Sequence, residues 1–476
     1  MEQVPDVGHH THALPYSRCL GGIPITPEMV ANIYTDNSER HLMETQQLRK
    51  LLQREPNPPI EEVIQTGVVP KLVDFLHCGR NHKLQYEAAW VLTNIASGST
   101  KQTQLVVEAG AVPIFIHLLG SEHQEVQEQA IWALGNIAGD SPKCRDYVLE
   151  QGALKPLLKI LQKSTCTSVV RNIVWTLHNL CRGTNPPPKF DDISPCLLYL
   201  KELLFVYDYE VVAYATWALS YALAGPKDKL DEVFRFDNIG YDLVCLLKHM
   251  SENVVLAALR GLTAIAAGND DARTSLVHSK VLPSLFRHLS LSKVSICREA
   301  CRVIARITAG NSNHIKAVIE AGIFPPLVDV LTRADVETKK EAASAVTNVT
   351  RGGLPEQIRH LVECGCVPPL CNLLTSSDPN AVQVALQGME NILLLGESDR
   401  RPGSFNPYTV LVENYFGPNK MEFLQFHESS EIAHRAYEMM ERFFDGGEED
   451  VRVAPGTLQC QFDFGVAASS IKDFDF

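Results

Sequence analysis

Trp90-Val-Leu-Thr-Asn94, Trp132-Ala-Leu-Gly-Asn136 and Trp175-Thr-Leu-His-Asn179 are one phrase written three times, at steps of 42 and then 43 residues. Self-similarity at a period near 40 marks a solenoid of stacked helices, of the armadillo or HEAT kind. The content of the phrase matters as much as its period. Residues four apart lie one above the other on a helix face. Stacked helices therefore line up a column of indoles beside a column of carboxamides. Such columns are poor core material and good material for binding a peptide.

The register runs on past the three intact phrases. The Trp position continues as Trp217, Arg260, Arg302, Ser344 and Gln387, and the Asn position as Tyr221, Ala264, Arg306, Asn348 and Asn391. Backwards, it reaches Leu48 in METQQLRKLLQ, and a last degenerate unit fits SSEIAHRAYEMMERFF. Each unit also carries a glycine and then a proline before an apolar run. Gly67 with Pro70, Gly110 with Pro113, Gly322 with Pro325 and Gly365 with Pro368 are the clearest cases. Glycine closes one helix in a left-handed cap, and proline suits the first turn of the next. Further glycines (Gly98, Gly139, Gly183, Gly225, Gly268, Gly310, Gly352) end the Trp/Asn helix. Three helices per unit is the armadillo pattern. The fold expected is all-α: a right-handed superhelical solenoid of about ten three-helix repeats over residues 23–445. Residues 1–22 read as a disordered leader, and residues 446–476 as an acidic, aromatic-spotted, extended tail.

Bulk properties agree. The 476 residues are 45% hydrophobic and 21% charged, ordinary for a folded soluble chain. No apolar run approaches the ~20 residues a membrane span needs, and the N-terminus lacks a secretory pattern. The 13 cysteines are scattered through apolar helical segments, Cys181, Cys196, Cys245 and Cys301 among them, and read as reduced core thiols. A net charge of −13 disfavours nucleic acid, which needs a basic stripe, and suits basic partners.

The columns dictate a chemistry. A carboxamide offers an acceptor and two donors, which match the C=O and N–H of an extended backbone. Indole faces wall the slots between rungs, where a Lys or Arg stem can lie with its charge over a ring at ~0.5–2 kcal/mol. Packed helices stand roughly 8–10 Å apart and an extended chain advances ~3.3 Å per residue, so successive rungs meet every two or three residues of one peptide. Carboxylates complete the slots: Glu128 lies one turn before Trp132, Asp140 follows the Asn136 helix, and Glu55 ends the corresponding helix of the first unit. The ligand expected is an extended Lys/Arg-rich segment.

EAAWVLTNIASG (Glu87–Gly98), EQAIWALGNIAGD (Glu128–Asp140), TWALSY (Thr216–Tyr221) and KEAASAVTNVTRGG (Lys340–Gly353) resemble the importin-α (karyopherin-α) family, over nearly the whole chain from Thr45. The resemblance implies a nuclear import adaptor, shuttling between cytoplasm and nucleus, with a major site for nuclear localisation signals on the early repeats and a minor site on the later ones. Carried over, the major site comprises Trp90, Asn94, Ser97, Gly98, Thr103, Gln129, Trp132, Asn136, Gly139, Asp140, Trp175, Asn179, Trp217 and Tyr221, with Asp140 holding the key lysine. The minor site looks eroded. Arg302 and Ser344 stand where the family has Trp, and Ala264, Arg306 and Asn348 at its Asn positions, while Arg260, Glu299, Glu341 and Asn391 complete the set. Arg302 and Arg306 would repel a basic cargo unless they pair with Glu299. A bipartite signal is expected to gain little over a monopartite one.

The family also begins with an Arg/Lys-rich segment that binds importin-β and folds back onto its own groove. The first 27 residues here hold one Arg and no Lys. Either that segment is missing from this chain or importin-β is not used in the usual way, and the groove is expected to lack autoinhibition. KMEFLQFHESSEIAHRAYEMMERFF resembles the last repeat of the family, where the nuclear export receptor binds. An armadillo scaffold that sequesters basic partners without transport is the competing reading. No catalytic triad, P-loop or dinucleotide fingerprint appears, so no enzyme, cofactor or nucleic-acid role is expected. His9, His10 and His12 sit in the leader, and Cys364, Cys366 and Cys371 lack a fourth ligand at zinc spacing, so no metal is expected either.

Overall fold

The computed structural model describes residues 25–54, 56–183, 185–225, 238–290, 293–401 and 404–444. Glu55, the histidines of the leader and the acidic tail lie outside these residues. The described chain is helical throughout and repeats one plan. In a representative unit, helices Thr100–Glu108 and Ala111–Leu118 precede a long helix, Gln124–Asp140.

The long helices number ten among the described residues: α1 Ser38–Leu52, α2 His82–Ala96, α3 Gln124–Asp140, α4 Thr167–Cys181, α5 Tyr209–Leu223, α6 Glu252–Ala266, α7 Val294–Thr308, α8 Val336–Gly352, α9 Pro379–Asp399 and α10 Ser430–Phe443. Their starts are fixed locally. Asn37, Asn81, Asp208, Asp335 and Asp378 cap the orphan N–H groups of α1, α2, α5, α8 and α9 with side-chain oxygens.

The sharp step between the first two helices is made in most units by a left-handed residue. Gly67, Gly110, Gly152, Gly322 and Gly365 supply it at φ between 66 and 84°. Three units lacking that glycine use Asn238, Lys280 and Phe416 at φ 71, 60 and 58° instead, while the unit leading into α5 turns through the short 3₁₀ segment Ser194–Cys196 without a left-handed residue. The step is thus a feature of the repeat rather than of the residue, and L side chains accept some strain to keep it.

Successive long helices pack directly on one another from α1 to α9, whereas the second helices of neighbouring units barely touch. Crowding on one side and splaying on the other curves the stack and puts the long helices on its inner face. One main apolar core runs the length of the array, built from residues such as Val126, Ala130, Ile131, Leu134 and Ile137 of α3, all fully buried, with Trp217, Leu256 and Ala257 in a small cluster of their own. Cys181, Cys196 and Cys301 belong to that core, while Cys245 is only half-buried. Among the described residues, no helix is long and apolar enough to cross a membrane.

Candidate functional site

Each long helix turns one i, i+4 stripe to the inner face. On α3 the stripe is Glu128, Trp132, Asn136 and Asp140, all half-exposed, with Trp132 and Asn136 set between buried neighbours. On α2 it is Tyr86, Trp90 and Asn94, and on α4 it is Arg171 and Trp175, half-exposed, followed by the buried Asn179. Trp90, Trp132 and Trp175 are neither sealed in the core nor on the outer face. Asp140 is the last residue of α3 rather than the one after it, and Cys144 lies 3.7 Å from its Oδ2.

The rungs behave differently from the sequence expectation. Asn136 donates through Nδ2 to Thr93 O at 3.2 Å, and Asn179 does the same to Gly135 O at 3.0 Å. One amide proton of each is thus spent on tying its helix to the previous one. Oδ1 of each has no hydrogen-bond partner among the described residues. Asn94 has no such inward bond: its Nδ2 is buried and unpartnered. A buried orphan donor costs roughly 1–3 kcal/mol, so a carbonyl that reached it would recover that amount.

Besides Asn179, itself only 5% exposed, three residues assigned to direct contact lie beneath the surface. Gln129 is 5% exposed, and its Nε2 donates to Thr93 Oγ1 at 2.9 Å. Thr103 is fully buried and donates to Ala96 O, bracing the turn that presents the exposed Ser97 and Gly98. Trp217 is 1% exposed. Its Nε1 donates to Asn253 Oδ1 at 2.8 Å, Tyr221 packs beside it, and the Arg260 guanidinium covers its ring at 5.1 Å. Arg260 occupies this ring face because the next helix carries Arg where the early ones carry Trp. Tyr221 stays half-exposed and burial raises its phenol pKa.

Residues the repeat phrase did not reveal also shape the groove. A Cβ on Gly135 would stand 2.3 Å from Trp175 Cζ3, so this glycine is the seat on which that indole rests. A Cβ on Gly139 would stand 3.0 Å from Asn179 Nδ2. Glycine four residues apart on α3 was a legible signal, since mid-helix glycine is costly without a packing reason. Arg49 of α1 lies over Trp90 at 4.7 Å and is bound to the buried Glu87. Arg145, 1% exposed, donates to Arg182 O at 2.7 Å and Pro186 O at 3.1 Å, fixing the end of α4.

On the later repeats, the arginines do pair, but not as a set. Arg302 bonds Glu299 at 2.8 Å and Glu341 at 2.7 Å, and Arg260 lies 3.5 Å from Glu299. Arg306 is exposed and makes no side-chain bond among the described residues. Asn348 again donates inward, to Ala305 O at 2.8 Å, but its Oδ1 is taken by Arg351. Asn391 donates to Thr350 Oγ1, and Gln387 approaches its Oδ1 at 3.4 Å. Both late rungs are internally engaged where Asn136 and Asn179 keep an acceptor open.

Residues 56–97, 99–139, 141–182, 311–351 and 355–394 match the armadillo/β-catenin-like repeat family, and residues 406–456 match the atypical armadillo repeat. Importin subunit alpha-1b of Oryza sativa subsp. japonica is 46% identical over 457 residues, spanning 95% of this chain and 85% of the rice protein. The chain belongs to the importin-α family. Importin subunit alpha-3 of Arabidopsis thaliana is 44% identical, covering 94% of this chain and 85% of its own length. Importin subunit alpha-B of Dictyostelium discoideum is 45% identical, covering 89% and 82%. The crystal structure of an engineered protein superposes with a TM-score of 0.78 at 28% identity, over 88% of this chain and 99% of that one. The importin-α likeness thus spans the early, open stretch of the groove and the later, ion-paired one alike.

Proposed function

We propose that this importin-α chain is a nuclear import adaptor that holds Lys/Arg-rich localisation signals as extended peptides, mainly across α2, α3 and α4. One observation supports this above the rest. Half-exposed indoles alternate with open carboxamide acceptors on the inner face, beside carboxylates, Asp140 and Glu128, that have no cation partner among the described residues. A lysine reaching Asp140 between two indoles gains a charge-assisted bond of ~1.5–3 kcal/mol, and each indole adds ~0.5–2 kcal/mol of cation–π attraction. Trp90, Trp132 and Trp175 with Asn94, Asn136 and Asn179 make the direct contacts, and Ser97, Gly98, Gly139 and Tyr221 border them. Gln129, Thr103 and Trp217 act from below, by holding the stripes in place. The late stretch, with Arg302 and Glu341 mutually neutralised, contributes little to basic peptides.

The test is a titration of a fluorescein-labelled Lys-rich peptide against wild type and Asp140→Lys. A drop in affinity of at least tenfold is expected, and equal affinities would remove the site assignment. A pull-down with importin-β, with and without the peptide, separates an adaptor from a scaffold. Binding in at least one condition supports the adaptor, and none in either leaves the sequestering scaffold.

A further inference from the structure

The sign of the uncompensated charge reverses along the inner face. In its early part the charges lacking an opposite partner are carboxylates, Asp140 and Glu128. From the end of α4 onward they are guanidiniums. Arg182, just past α4, is exposed. The α7 stripe is Arg298, Arg302 and Arg306, one turn apart. Asp335 neutralises Arg298 at 2.8 Å, and Glu299 and Glu341 neutralise Arg302. Arg306 has no carboxylate among the described residues, and neither has Arg351, which touches only the neutral Asn348. Arg306 and Arg351 flank the same rung: Asn348 Nδ2 bonds Ala305 O, one residue before Arg306, and its Oδ1 takes the Arg351 guanidinium. Across α6 to α8 the stripe residues and Arg351 supply five arginines (Arg260, Arg298, Arg302, Arg306, Arg351) against Glu299, Asp335 and Glu341, an excess of two positive charges.

The geometry points to a groove that takes a bipolar strand: a basic cluster over α2 to α4 and, on the same extended chain, anionic side chains over Arg306 and Arg351. Carboxylates and phosphoserine share the required chemistry, since a guanidinium grips either in a two-pronged fashion. The overall charge of −13 does not forbid this. Screening confines each charge to about 8 Å at physiological salt, so the local excess governs. Spacing follows from the fold. Four helix steps from α3 to α7, at roughly 8–10 Å each, span about 32–40 Å, and an extended chain covers that in about 10–12 residues at ~3.3 Å apiece. The inference rests on the groove reading above and adds the chemistry of the second half of the ligand.

The experiment compares labelled peptides sharing one Lys-rich cluster, with an extension centred about 11 residues away that is neutral, Asp/Glu-rich, phosphoserine-bearing or Lys-rich, on either the N- or the C-terminal side. Anisotropy at moderate salt reads affinity on the full chain. The expected result is a gain of about fivefold for an anionic extension over the neutral one in one of the two orders, the scale of two partly exposed charge pairs. The gain is abolished in the double variant Arg306→Glu/Arg351→Glu, which leaves the neutral-extended peptide unchanged. The Asp/Glu and phosphoserine arms tell carboxylate from phosphate. No gain in either order, a gain that survives the double variant, or an equal gain from the Lys-rich extension overturns the inference. If the neutral-extended peptide is also indifferent to Asp140→Lys, the groove reading itself fails; if it responds, only the anionic half is refuted.

Discussion

Replacing Gly135 by alanine separates a local rule from a tertiary one. Mid-helix alanine normally stabilises over glycine by about 1 kcal/mol, through lower backbone entropy in the unfolded chain. Here the new methyl would stand 2.3 Å from Trp175 Cζ3, 2.8 Å from Cε3 and 2.7 Å from Thr176 Oγ1. Carbon atoms are comfortable at roughly 3.5–4.0 Å, so the indole must retreat by more than an ångström. Thr176 cannot easily yield, because it bonds Asn172 O at 2.8 Å and Ile131 O at 3.2 Å. The Asn179 bond to Gly135 O further fixes the two helices. Overpacking of this sort costs ~1–3 kcal/mol. Set against the alanine gain, the net is a loss of about 1 kcal/mol, concentrated at the α3–α4 seam. The Trp175 shelf moves with it, and affinity for a Lys-rich peptide falls about tenfold if ~1.4 kcal/mol of contact is lost. Hydrogen exchange of amides in α3 and α4 reads the first effect and peptide titration the second. Gly352→Ala is the comparison, since a Cβ there meets only ordinary contacts at 3.8 Å or beyond and should be neutral or stabilising. A Gly135→Ala protein with slower exchange in α4 and unchanged peptide affinity would refute the reasoning.

Arg49→Ala strands the buried Glu87 carboxylate and bares one face of Trp90, so α1 should open faster in hydrogen exchange, by about 1–3 kcal/mol, with α8 and α9 unaffected. Trp132→Ala and Trp217→Ala should diverge. The first weakens peptide binding tenfold or more with modest loss of stability, while the second costs ~3–5 kcal/mol of local stability with a small effect on affinity, as paired titration and thermal denaturation would show. His178 is buried, and burial, with the charge of Arg182 adding to it, lowers its pKa from 6.5 to about 3. Between those values the unfolded chain takes up a proton that the folded chain refuses, so this contribution is present above pH 6.5 and is lost as pH falls. By pH 5 the loss is about 2 kcal/mol, and denaturant melts at pH 7.5 and 5 should show it in wild type and not in His178→Phe.

The repeat phrase and the glycine and proline punctuation around it determined the all-α armadillo plan, the three-helix unit and the inner-face stripes. Period and i, i+4 spacing are local properties, and they survive any detail of packing. The phrase also placed Trp90, Trp132 and Trp175 on the open face and foresaw the loss of aromatic shelves on α7 and α8. What it could not decide was which members of a stripe remain available. Trp217 occupies the same register as Trp175, yet it is sealed because Arg260 from the next helix lies over it and Asn253 takes its N–H. Gln129 and Thr103, assigned to the groove by the family resemblance, are buried braces in space. Asn136 and Asn348 are identical rungs on paper, but Arg351 closes the acceptor of one only. Arg302 is neutralised while Arg306, one turn away, is not, because Glu299 and Glu341 reach the first and stop short of the second. Periodicity assigns a face, whereas availability depends on which side chain of the neighbouring repeat arrives there, and that is set by contacts some 40 residues apart in the chain.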